Sequence, residues 1–182
     1  TKAIMLVNVL GNCSEIDKIR SIANKKKIYL IEDNCESLGS IYKNKPLGSF
    51  GDFSTFSFYY SHQISSVEGG MLCCKSNEDY EILKTLRSHG YARVLKNRKI
   101  LEKKYKNIDG RFLFINSGFN FRPTDIQAAI ALSQFKSLDN FTKRRSINRK
   151  KIIETLTKDP LWKNQVTFLR ENTEVKPSWF GI

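Results

Sequence analysis

Apolar and polar residues switch between two periods along the first third of the chain. Ala3 to Leu10 is a short apolar run closed by Gly11-Asn12. Ile16, Ile19, Ile22 and Ala23 then recur at helical spacing as far as Lys27, behind Ser14 as an N-cap with Asp17 three residues on. Ile28-Tyr29-Leu30-Ile31 is continuously apolar, the form taken by strands buried on both faces of a parallel sheet. Strand, helix and strand at this spacing predict a βαβ unit, hence an α/β architecture with a mostly parallel sheet flanked by helices.

Asn44, Pro46 and Gly48 punctuate a turn-rich segment and predict a hairpin after Gly39-Ser40-Ile41-Tyr42. Phe53 to Tyr60 is aromatic and β-favouring. A small-residue loop follows, then Gly69-Gly70 and the apolar run Met71 to Cys74, which reads as strand, loop, strand. Glu78 to Ser88 has the apolar spacing of an amphipathic helix (Tyr80, Leu83, Leu86) and closes at Gly90. Arg93 to Arg111 is basic without a clear period, a loop or a short helix. Thr124 or Asp125 caps a helix whose Ile126, Ala129, Ile130 and Leu132 to Phe135 are predicted to face the core. Lys136 to Leu156 reads as one or two charged helices, broken at Asp159-Pro160. The opening on Thr1 and the apolar run Trp179 to Ile182, read as a strand about to continue, predict a piece of a longer chain.

A chain of 182 residues can bury one sizeable core. Its net charge is +13, from 31 Lys and Arg against 18 Asp and Glu. The basic residues are scattered beside Ile and Asn (Lys25-Lys26-Lys27-Ile28, Lys96-Asn97-Arg98-Lys99-Ile100), without the aromatic interleave of a nucleic-acid surface. A solvated basic face is predicted, with no nucleic-acid partner. Cys13, Cys35, Cys73 and Cys74 have no zinc or iron–sulfur spacing, and the adjacent pair on a strand would point to opposite faces. Reduced thiols and a cytoplasmic location are expected. No apolar run approaches the ~20 residues that span a membrane.

Candidate chemistry gathers at strand ends. Glu32, Asp33 and Glu36 leave the second strand at its carboxyl end, where open α/β sheets place ligands. Asp33 either caps a following helix or supplies a functional carboxylate. His62 stands alone in its loop, either a polar loop residue or a proton carrier. Ser57 offers a hydroxyl near a strand end. His89 falls at a helix C-terminus, either a cap or a site residue.

Gly48-Ser49-Phe50-Gly51-Asp52-Phe53-Ser54-Thr55-Phe56-Ser57-Phe58-Tyr59 followed by Glu68-Gly69-Gly70-Met71 resembles the signature of the DegT/DnrJ/EryC1/StrS sugar aminotransferases, fold-type I enzymes that depend on pyridoxal phosphate (PLP). Arg87-Ser88-His89-Gly90 and Gly118-Phe119-Asn120-Phe121-Arg122-Pro123-Thr124-Asp125-Ile126-Gln127-Ala128-Ala129 match two further motifs of that family. Most members carry a lysine at the position of His62 and bind the cofactor there as a Schiff base. Histidine at this position resembles the family's sugar 3-dehydratase branch. One iron–sulfur member of that branch uses cysteines C-terminal to its histidine; here none follows Cys74.

The resemblance implies a division into residues 1–145, part of a large cofactor-binding domain, and 146–182, the start of a small C-terminal domain. It implies that Asp33 pairs with the pyridine nitrogen, Glu36 lies over the ring, and Ser57 and Asn120 hold the phosphate, with Asn120 serving the partner subunit of a homodimer. His89 and Arg122 fall at the substrate end. The cofactor, as PLP or pyridoxamine phosphate (PMP), would be held noncovalently, with glutamate as amino donor. The implied reaction is 3-dehydration of a nucleotide-linked 4-keto-6-deoxy sugar of the GDP-mannose type, in deoxysugar or O-antigen biosynthesis. The competing readings are a nucleotide-sugar aminotransferase using Lys75 or Lys84, and an inactive family member acting as a partner.

Overall fold

A computed structural model describes residues 1–182. The chain forms two compact units, residues 1–73 with 125–182, and residues 74–124. In the first, β1 (Ala3–Val7), β2 (Tyr29–Asp33), β5 (Phe53–Ser57) and β6 (Gly70–Cys74) form a sheet in the order β1-β2-β5-β6. β1 and β2 run parallel from Ala3↔Tyr29 to Val7↔Asp33, and β2 and β5 run parallel with Asp33 opposite Thr55. The predicted βαβ unit is present.

Helix α1 (Ile16–Lys26) drives Ile16 and Ala23, both wholly buried, onto Leu30. Tyr42, Leu47 and Val175 complete that core. Each such aliphatic side chain contributes about 1.5–3 kcal/mol of burial. Helix α1 begins one residue later than expected: Glu15 holds the N-cap position without a side-chain cap, and the Ser14 carbonyl accepts from the Ile16 N–H. β1 is also shorter than its apolar run. After Val7 the backbone enters a 3-10 turn, with Leu10 and Gly11 at φ 55° and 85°. A side chain at Gly11 would collide with the Ser178 carbonyl, so this turn needs glycine.

The expected hairpin is β3 (Ile41–Tyr42) with β4 (Lys45–Pro46), joined by Lys43 and Asn44 at positive φ, the geometry of a two-residue primed turn. β7 (Val175–Lys176) pairs with β3 on its other side. The anticipated strand at 179–182 does not form; Trp179 is buried beneath the Arg149 guanidinium, 3.7 Å from its ring centre.

Helix α4 (Asp125–Phe135) forms where predicted, but its apolar side chains do not face this unit's core. Ile126, Leu132 and Phe135 are all exposed. The helix is apolar nearly all round, so its pattern could not select a buried face. Helix α5 (Leu138–Thr157) is one continuous helix, and the expected boundary at residue 145 falls inside it.

In the second unit, α2 (Asn77–Arg87) is capped by the Ser76 hydroxyl, which accepts from the Asp79 N–H. Gly90, at φ 84°, closes it, its N–H donating to the Thr85 carbonyl. The basic stretch contains a short α3 (Arg98–Lys104) stitched by Arg98 and Glu102 at 2.6 Å.

Candidate functional site

The candidate site residues fall in two clusters, one in each unit. In the first, neighbouring carboxylates of β2 take opposite faces, as strand geometry requires. Glu32 is wholly buried and accepts hydrogen bonds from the backbone N–H groups of Gly48, Phe50 and Gly51. It is an anchor for the 48–51 turn. Asp33, at the strand's carboxyl end, accepts from the Cys35 N–H at 3.1 Å and the Thr55 hydroxyl at 3.2 Å. No helix follows, only turns, so the capping role considered for Asp33 is not realised. The Cys35 thiol is pushed up to about 11 by burial, with the Asp33 carboxylate adding to the effect. Because Thr55 reaches Asp33, Ser57 two residues on shares that face of the sheet. The Ser57 hydroxyl accepts from the Tyr59 N–H at 3.2 Å.

Glu36 spends its carboxylate on the Leu10 N–H at 2.7 Å, and its carbonyl accepts from the Gln63 side chain. His62 is half-buried in the loop after β5. Its ring lies 5.1 Å from that of Phe180 and 5.9 Å from that of Tyr59, and its Nδ1 is buried with no hydrogen-bond partner. Arg145 of α5 donates to the His62 carbonyl at 3.4 Å. Burial lowers the pKa of Arg145, and one of its terminal nitrogens is buried without a partner. Asp33 and Ser57 thus end adjacent strands on one face, while Glu36 and His62 are joined through Gln63.

In the second unit, His89 sits at φ 59° just past α2, its N–H donating to the Phe119 carbonyl. A bridge between Ser88 and Asn120 brings the second motif alongside. Arg122 lies 3.2 Å from His89 Nε2 and donates to Asn120 Oδ1 at 3.2 Å. A guanidinium can only donate, so this imidazole nitrogen is the acceptor. Lys84, one of the two alternative lysines, pairs with Glu81 at 3.2 Å and lies over Tyr80.

A profile described as the DegT/DnrJ/EryC1/StrS aminotransferase family matches residues 1–181. The chain belongs to this family. It is 38% identical to the GDP-4-keto-6-deoxy-D-mannose 3-dehydratase of Escherichia coli O55:H7, over 100% of this chain and 46% of the relative. The E. coli enzyme of that name with bound hydrated PLP superposes with a TM-score of 0.84 at 36% identity, again over 100% of this chain and 46% of the other. A GDP-4-keto-6-deoxymannose-3-dehydratase with a trapped PLP-glutamate geminal diamine matches equally, with a TM-score of 0.84, 36% identity and the same coverage. The chain therefore spans about half the length of these relatives. The fold is that of the PLP-dependent transferases, as the sequence motifs implied.

Glu32, Gln63 and Arg145 are the residues sequence reading did not separate out. Strand alternation could have divided Glu32 from Asp33. Neither Gln63 nor Arg145 carries a signal, the first in a polar loop and the second in a run of basic residues.

Proposed function

We propose that the protein of which this chain is part catalyses 3-dehydration of a nucleotide-linked 4-keto-6-deoxy sugar of the GDP-4-keto-6-deoxymannose type, using PLP and PMP with glutamate as amino donor. The observation that carries this reading is His62, in the place of the family's lysine, with a buried ring nitrogen that nothing in the chain satisfies. An orphaned polar atom there, on a loop beside a carboxylate-ended parallel strand, fits a bound polar group. When bound, the cofactor supplies an amine for the sugar ketone and a cationic ring that accepts electrons.

In this reading Asp33 holds the protonated pyridine nitrogen, and Thr55 and the Cys35 N–H fix that carboxylate. Ser57 of one subunit and Asn120 of its partner hold the phosphate. Glu36 would lie over the ring, its carboxylate held by the Leu10 N–H. His62 cannot form a lasting covalent link to an aldehyde. It would move a proton instead, as base and then as acid. His62 would take the proton released beside the cofactor amine and return it to the C3 hydroxyl as that group departs as water. His89 and Arg122 address the substrate. The relatives' names support the nucleotide and sugar class. We further propose a homodimer, a cytoplasmic location, no nucleic-acid partner, and the division at residue 145 between large and small domains. No helix is long and apolar enough to cross a membrane.

The test uses the full-length protein with PLP, glutamate and GDP-4-keto-6-deoxymannose, read by mass spectrometry. A product lacking one oxygen, with ammonia released, supports the proposal. An amino group in place of the ketone makes the protein an aminotransferase, and no turnover with cofactor bound favours the inactive-partner reading.

A further inference from the structure

We propose that Gln63 is a positioning residue for His62. This rests on the reading of His62 as the proton carrier.

An imidazole base is ordinarily aimed by a hydrogen bond at its second ring nitrogen. His62 has none: Nδ1 is buried and unpartnered. Its orientation must come from ring packing and from the backbone that carries it. Both are set by the next residue. Gln63 is 1% exposed, and its amide nitrogen donates to the carbonyls of Glu36 and of Ser178, the latter at 3.4 Å. An amide has two such protons, so one side chain can serve both carbonyls. The Glu36 end ties the His62 loop to the segment following β2. The Ser178 end ties it to the short segment whose Phe180 ring rests on the imidazole.

Ser178 is itself held on several sides. It is wholly buried, its N–H donates to the Ser40 hydroxyl at 2.9 Å, and its own hydroxyl lies 3.0 Å from that of Thr142. Ser40 in turn donates to the Gly11 carbonyl at 2.7 Å. Gln63 therefore joins the histidine to a rigid frame on two sides, and Arg145 holds the His62 carbonyl from a third.

The other end of the same amide makes the case testable. Gln63 Oε1 is buried and has no partner. Methionine has nearly the same shape, removes the orphan oxygen, and deletes only the two donated bonds. Gln63→Met removes the orphan oxygen but leaves the Glu36 and Ser178 carbonyls without their donor, so some loss of stability accompanies the loosening of the histidine.

The experiment uses the full-length protein with PLP, glutamate and GDP-4-keto-6-deoxymannose. Gln63→Met is expected to lower kcat about 10- to 100-fold, the scale of an ångström's misplacement, with KM within about threefold. Affinity for PLP, titrated by absorbance, should not fall. Unchanged kcat overturns the inference. So does a loss of PLP affinity in step with kcat, which is the mark of a merely structural residue. If Gln63→Met does not fold, Phe180→Leu reads the other end of the link. A several-fold fall in kcat at unchanged PLP affinity is expected, and no fall overturns the proposal. His62→Asn separates the two claims. If it retains dehydration, the proton-carrier reading fails; if it is dead while Gln63→Met is normal, only the positioning role fails.

Discussion

The two clusters are built on opposite plans. The residues around Asp33 and His62 stand on a buried scaffold: Glu32 and Ser178 are 0% exposed and Gln63 1%, each hydrogen-bonded across long sequence separations. The cluster of His89, Asn120 and Arg122 holds itself together through contacts among its own members, on a largely exposed surface beside the buried Ser88 and Gly90. The first plan suits groups whose geometry must not drift during proton transfer, because rigid packing carries the precision. The second suits groups that meet a ligand, because exposed polar side chains lose little when they exchange one another for a substrate. Mutations should therefore separate them. Changes under the first cluster cost folding and chemistry together, and changes within the second cost binding alone.

The sharpest contrast comes from Glu32→Gln. The amide presents N–H groups to a turn of three N–H donors and leaves some of them buried and unsatisfied. A loss of about 3 kcal/mol in unfolding free energy is expected, measured by urea denaturation of the full-length protein. A loss below about 0.5 kcal/mol would break the claim that this cluster rests on its scaffold. Next in size, Arg122→Gln should raise KM for the nucleotide sugar about tenfold while leaving the unfolding midpoint where it was. A fall in that midpoint would show the exposed cluster to be structural after all.

The smallest effect lies at the edge of the first unit, where Asp17, Tyr42, Lys43 and Glu174 tie α1 and the β3 hairpin to the segment before β7. The hydrogen bond from Lys43, followed by that from Tyr42, lowers Asp17 to about 2. A carboxylate depressed in the folded state stabilises above its unfolded pKa, near 4, and that contribution fades as pH falls through about 2. Asp17→Asn should flatten this part of the acid-unfolding curve, followed by circular dichroism. An identical acid limb would remove the link.

The βαβ core was legible because continuous apolar runs at Ile4 to Val7 and Leu30-Ile31 bracket a helix of clear period. His62 was legible through the motif around it, not through any property of a lone histidine. Other features left no trace in the pattern. β7 is two residues long and exists only through pairing with β3. Ile126 and Leu132 looked like core because apolar residues on every side of a helix predict burial without saying against what. Gln63 and Arg145 owe their roles to the C-terminal segment and to α5, contacts between residues 83 and 115 positions apart in the chain. Local sequence cannot report such distances.

The central claim is that His62 leaves the cofactor without a covalent anchor. It is tested most directly by borohydride reduction of the full-length PLP complex, followed by intact-protein mass spectrometry. The wild-type mass should be unchanged, and His62→Lys should gain one reduced pyridoxyl phosphate on residue 62. A pyridoxyl adduct on the wild-type protein, at Lys75, Lys84 or any other lysine, would contradict the account and make this chain part of an aminotransferase.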